Sequence, residues 1–107
     1  MNIYISAPIT GRTKDDIEFC FAYAKTQLEY YGHKTVNPYA IGKMLPELTH
    51  DQYLAIDDAI LLHGGIDAVY FFAGWRESEG CRHEHRIAEE LGLVIFEDIS
   101  EVAHYGN

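Results

Sequence analysis

Residues 67–93 read DAVYFFAGWRESEGCRHEHRIAEELGL, and this stretch decides the fold. Its run Ala68-Val69-Tyr70-Phe71-Phe72 is apolar, aromatic and β-branched without alternation, the pattern of a strand covered on both faces. Residues 73–80 carry two glycines and a serine and form a turn region. A helix follows over about 81–91, and Gly92 is its stop signal. Within that helix Glu84, Ile87, Ala88 and Leu91 fall at i, i+3, i+4 and i+7 and share one face. Arg82, Arg86, Glu89 and Glu90 take the opposite, solvated side. Glu84 is therefore an acid at the head of an inward stripe. Burying a charge there is expensive without a partner or a task.

Working outward, residues 1–5 read as a first strand and 6–12 as a loop of small residues and turn formers. Thr13, with Asp16 three places on, is a capping-box start for a helix. Ile17, Cys20, Phe21, Ala24, Leu28 and Tyr31 then repeat at helical spacing until Gly32. Residues 33–36 form a short strand and Asn37-Pro38-Tyr39 a turn. Residues 40–49 read as irregular, a candidate lid. A second helix spans about 50–63, ahead of Gly64-Gly65. A last strand covers about 93–96, and the tail 97–107 has room for one further helical turn.

Strands alternating with helices predict a parallel sheet of four or five strands between helices, joined by right-handed crossovers. The fold class is α/β, a small flavodoxin-like or Rossmann-like three-layer sandwich spanning 1–107 as a single domain. Ligands of such sheets sit at the carboxyl ends of the strands, beside the switch in strand order. That rule gathers loop 6–12, residues 37–39 and residues 73–84 on one rim.

The chain has 107 residues, 48% hydrophobic and 13% aromatic, enough for one core and too apolar for disorder. A formal net charge of −9 argues against a nucleic-acid polymer as partner, since phosphate contacts need many Lys and Arg. A small anionic ligand needs only a few local donors. Two cysteines without metal-type spacing, and no signal peptide or membrane span, predict a reduced, cytoplasmic protein that does not engage a membrane.

Glu84 is the leading candidate for chemistry, as a nucleophile toward an electrophilic carbon such as the anomeric carbon of a sugar. The plainer alternative is an acid favoured by the positive helix N-terminus. Asp57 and Asp58 lie mid-helix. Asp58 shares a stripe with Leu54, Leu61 and Leu62, whereas Asp57 sits nearer Tyr53, Ile60 and Leu61. Either would meet Glu84 as an acid that assists a leaving group. Two carboxylates in one pocket push their pKa values apart.

Ser6, Ile9, Thr10, Gly11 and Arg12 on the first loop, with Ser78 and Gly80 before the Glu84 helix, would make an anion cradle of backbone N–H groups, hydroxyls and a guanidinium. They are also what any tight loop uses. Trp75 is placed either to stack on a planar base or to pack in a core or dimer contact. Tyr4 reads as core with a hydroxyl in reach of the rim. Cys81, His83, Glu84 and His85 invite a metal, but no HExxH or paired CxxC is present, and no metal or cofactor is expected.

These features together resemble the nucleoside 2-deoxyribosyltransferase-like family: an APITG-type loop after the first strand, an acid in the second helix, a buried strand ending in AVYFFAGW, and S-x-G-x-x-x-E opening a helix. The chain is most similar to small phage and bacterial members of that family and to the 2'-deoxynucleoside 5'-monophosphate N-glycosidases. The resemblance runs from Asn2 to about Phe96. It implies Glu84 as nucleophile, Asp58 (or Asp57 in the rival register) as the acid assisting base departure, and Tyr4 near the sugar. It implies that Ser78 contacts a phosphate, that the substrate is a (deoxy)nucleoside 5'-monophosphate, and that the chain is a homodimer or higher homo-oligomer. The loop differs from the monophosphate hydrolases in lacking their serine-then-arginine arrangement. The alternative expectation is a non-catalytic module that senses or sequesters a nucleotide-derived ligand.

Overall fold

The computed structural model describes residues 1–105; Gly106 and Asn107, the end of the tail expected to hold a helical turn, lie outside the described residues. The elements are β1 (Asn2–Ser6), α1 (Lys14–Tyr30), β2 (Lys34–Val36), α2 (Pro38–Lys43), α3 (His50–His63), β3 (Ala68–Phe71), α4 (Glu79–Leu91), β4 (Val94–Phe96) and α5 (Ile99–His104). A 3₁₀ turn, Trp75–Glu77, precedes α4. The four strands form one all-parallel sheet in the order β2-β1-β3-β4. The chain builds outward from β1 to β2, then crosses to β3 and β4, so the order reverses between β1 and β3.

Strand periodicity divides the sheet's side chains between two cores. Ile3, Ile5, Ala68 and Tyr70 point to one face and pack with Phe21, Ala24 and Leu28 of α1 and Val102 of α5. Tyr4, Val69 and Phe71 point to the other face and pack with Leu61 of α3 and Cys81 and Ala88 of α4. The result is the expected three-layer sandwich, helices on both faces of a parallel sheet. Every residue of β3 is buried, as its unbroken apolar run requires.

Local chemistry sets the helix ends. Thr13 caps α1, its Oγ1 accepting from the Asp16 N–H at 3.2 Å. Thr49 and Gln52 make a reciprocal capping box at the start of α3. Gly92, at φ 68°, folds the end of α4 back so that the Leu93 N–H reaches the Ala88 carbonyl at 3.0 Å.

Four local expectations are corrected. Residues 38–43 are helical, because Asn37 accepts from the Ala40 N–H and Pro38 sits where a missing N–H does no harm. Leu91 is 41% exposed: after the Gly92 reversal it is Leu93 that packs against the core, and the buried stripe of α4 is Cys81, Glu84 and Ala88. Tyr31 is exposed, since α1 ends at Tyr30. Leu62 is 53% exposed, which changes the register of α3.

Candidate active site

At the carboxyl edge of the sheet, where the strand order reverses, lies a cavity of about 660 Å³. The loop after β1 contributes Ala7, Ile9 and Thr10, and the segment after β2 contributes Pro38, Tyr39, Gly42 and Lys43. The loop leading into α4 adds Ser78, Glu79 and Gly80. This is the crevice that doubly wound sheets offer to ligands.

Glu84 lines that cavity and is 7% exposed. It stands one turn inside α4, whose start is set by Ser78: the serine Oγ accepts from the Cys81 N–H at 3.2 Å. Two hydroxyls of β1 hold its carboxylate. Ser6 Oγ donates to Glu84 Oε1 at 2.8 Å, and the Tyr4 hydroxyl donates to Oε2. Tyr4 and Ser6 are two residues apart on a strand, so both project to the α4 side of the sheet. Burial holds the Tyr4 hydroxyl well above its usual range, aided by the Glu84 charge, so it remains a donor.

Opposing effects act on Glu84. Burial raises its pKa, the two hydroxyl donors lower it, and the charges of Asp57 and Asp58 raise it again. Burial wins, and the carboxyl is pushed up to about 7 from an ordinary 4.5.

The two aspartates part company. His50, Tyr53, Leu54 and Asp57 fall at i, i+3, i+4 and i+7 along α3 and all line the cavity. Leu61, four residues further, continues the stripe into the core. Asp57 thus faces the same space as Glu84. Burial, then the neighbouring Asp58 charge, pushes its carboxyl up to about 6. Asp58 lies about 100° further round the helix. It faces α4, where His83 Nε2 sits 2.9 and 3.0 Å from its two oxygens. Of the two aspartates left open to assist Glu84, it is Asp57, the rival register, that lines the cavity wall.

Of the remaining expected site residues, Ile9, Thr10, Ser78 and Gly80 line the cavity. Ser6 reaches it through Glu84. Gly11 and Arg12 do not line it; the Arg12 guanidinium lies against Gly74, where an added Cβ would be 3.1 Å away. Trp75 is a correction. It is 9% exposed within the second core, stacked on His85 at 4.4 Å and against Phe71 at 5.1 Å, and is not a cavity residue. Cys81 lines the cavity, but burial pushes its thiol up and so keeps it in the poorly nucleophilic neutral form.

Residues missed from sequence include Phe21, Gly42, Lys43, His50, Tyr53 and Leu54, whereas Tyr39 and Glu79 lie in the stretches gathered on the rim. The α3 members carried a signal, the helical spacing of His50, Tyr53 and Leu54 to an acid. The α2 members carried none while that segment read as irregular. Among the described residues, no group of three or more His, Cys, Asp or Glu is disposed to hold a metal ion, and no helix is long and apolar enough to cross a membrane.

A family model described as a domain of unknown function, DUF4406, matches residues 1–97. The chain belongs to the DUF4406 family. The match contains every residue of the cavity wall, so the site lies within the DUF4406 domain. No curated protein and no solved structure matches the chain.

Proposed function

We propose that the chain cleaves the N-glycosidic bond of a (deoxy)nucleoside 5'-monophosphate, with Glu84 as nucleophile and Asp57 as acid. The observation that carries this reading is a buried glutamate, held by two hydroxyls, in one cavity with a second carboxyl of raised pKa. It agrees with the resemblance to nucleoside 2-deoxyribosyltransferase-like proteins.

In the first step a Glu84 oxygen bonds to the anomeric carbon as the carbon–nitrogen bond breaks. The bond's electron pair leaves with the base, which takes a proton from Asp57. In the second step water attacks the anomeric carbon and returns a proton to Asp57, freeing Glu84 and the sugar phosphate. A second base in place of water would give transfer. The hydroxyls of Tyr4 and Ser6 orient the carboxylate and stabilise its charge. Thr10, Ser78 and Gly80 line the cavity, and their hydroxyls and backbone N–H groups would take the phosphate. The resemblance adds a homodimer or higher homo-oligomer to this reading.

Incubating the protein with the four common 2'-deoxynucleoside 5'-monophosphates, and separating products by chromatography, is expected to show free base from at least one. Release from none of them sinks the proposal. The pH dependence follows from the two carboxyls. Attack needs Glu84 ionised and protonation needs Asp57 protonated, whereas the first is pushed up to about 7 and the second to about 6. The productive form thus carries a single proton, held on Asp57. A bell-shaped kcat/KM profile is expected, with its maximum between about pH 6 and 7. A rate still rising above pH 8 would contradict the assignment.

One observation favours a non-catalytic binder as the second reading. Burial pushes the Glu84 carboxyl up to about 7 and so favours its neutral form, and a neutral carboxyl recognises a ligand better than it attacks one. Calorimetry would then find binding, with the ligand recovered unchanged.

A further inference from the structure

The cavity holds Asp57, Glu79 and Glu84, and among the described residues Lys43 is the only lysine or arginine on its wall. A phosphate dianion entering among those acids needs a full positive charge nearby, because helix-end dipoles and hydroxyls supply only partial ones. Lys43 is engaged elsewhere: its Nζ lies 2.5 Å from Glu18 Oε1 of α1, and over the Tyr39 ring at 5.4 Å. Both members of that ion pair are 43% exposed, and an exposed pair is weak enough for a stronger anion to displace. The backbone beneath Lys43 is held in place. Gly42 packs against the Tyr53 ring of α3 so closely that an added Cβ would sit 3.2 Å from it. Exchange of partners therefore falls to the four-carbon lysine stem rather than to α2.

Resting on the proposed function, we infer that Lys43 is an exchangeable anion clamp: its ammonium leaves Glu18 for the phosphate of a bound nucleotide and so selects phosphorylated over unphosphorylated ligands. Glu18 is the competitor that holds the lysine when the cavity is empty. Two substitutions then act in opposite directions. Lys43→Gln removes the clamp, and Glu18→Gln releases it. If the ion pair only braced α2 against α1, both substitutions would have the same sign.

The test is calorimetric titration with the four 2'-deoxynucleoside 5'-monophosphates and their unphosphorylated nucleosides. The parent and both variants also carry Glu84→Gln, so that ligand is not consumed. The parent is expected to prefer the monophosphates, and Lys43→Gln to lose that preference by about tenfold or more. Glu18→Gln is expected to tighten monophosphate binding about two- to fivefold and to leave nucleoside binding unchanged. A preference that survives Lys43→Gln, or equal weakening by both variants, overturns the inference and leaves the proposed function standing. A parent that prefers nucleosides also overturns it, and the glycosidic chemistry would then act on an unphosphorylated substrate. If neither the wild type nor the parent binds any of these ligands, both proposals fall.

Discussion

Replacing Glu84 by glutamine is expected to lower base release by about 10⁴-fold or more and, at the same time, to make the protein more stable above neutral pH. The catalytic loss follows because an amide cannot form the sugar ester. The gain follows from linkage. The carboxyl is pushed up to about 7 in the folded chain, against an ordinary 4.5. Between those values the folded state holds more proton than the unfolded one, so stability falls as pH rises. Above about pH 7 the full penalty applies, of order 3 kcal/mol. Glutamine keeps the contacts without the charge: its carbonyl accepts from Tyr4 and its amide donates to Ser6. Melting curves at pH 8 should place the variant on the order of 10 °C higher, and the difference should vanish near pH 4.5. A variant that retains activity would show that Glu84 is not the nucleophile, and one that melts no higher at pH 8 that its charge is not strained.

The second large effect separates the two adjacent acids. Asp57→Asn is expected to lower kcat/KM by about 10²- to 10⁴-fold and to abolish the alkaline limb of the pH profile. Only Glu84 then needs to be in a particular protonation state. Asp58→Asn should lower activity less than about tenfold and move that limb to lower pH. Its charge helps to raise the Asp57 pKa, and its own oxygens are held by His83. If Asp58→Asn does the greater damage, the roles are reversed.

That contrast marks where the sequence could be read and where it misled. Unbroken apolarity over Ala68–Phe71 identified a central strand, because only a strand covered on both faces needs it. The spacing of Ile17, Cys20, Phe21, Ala24 and Leu28 gave α1, and those five residues are buried. The stripe through Glu84 gave its inward direction. Asp58 was favoured over Asp57 as the inward acid because Leu62 was counted as core. Without it, Leu54, Asp57 and Leu61 form the inward line. Hydrophobicity alone is a poor guide at such a position, since large apolar side chains are often exposed. Trp75 stayed open between base stacking and core packing, because a loop position next to the site says nothing about which side of α4 the ring will choose. The hydroxyl pair of Tyr4 and Ser6 was legible in principle, as alternate residues of one strand, but its convergence on Glu84 depends on β1 lying beside β3.

The placement of Trp75 also decides what light emitted by this protein will report. It is the single tryptophan in the chain, stacked on His85 and tilted against Phe71 with the Arg76 guanidinium over its ring, rather than facing the cavity. Its fluorescence will register the parting of α4 from the sheet and remain nearly blind to a ligand entering the cleft. An optical titration of binding would need a second fluorophore, placed on α2 or at the opening of α3.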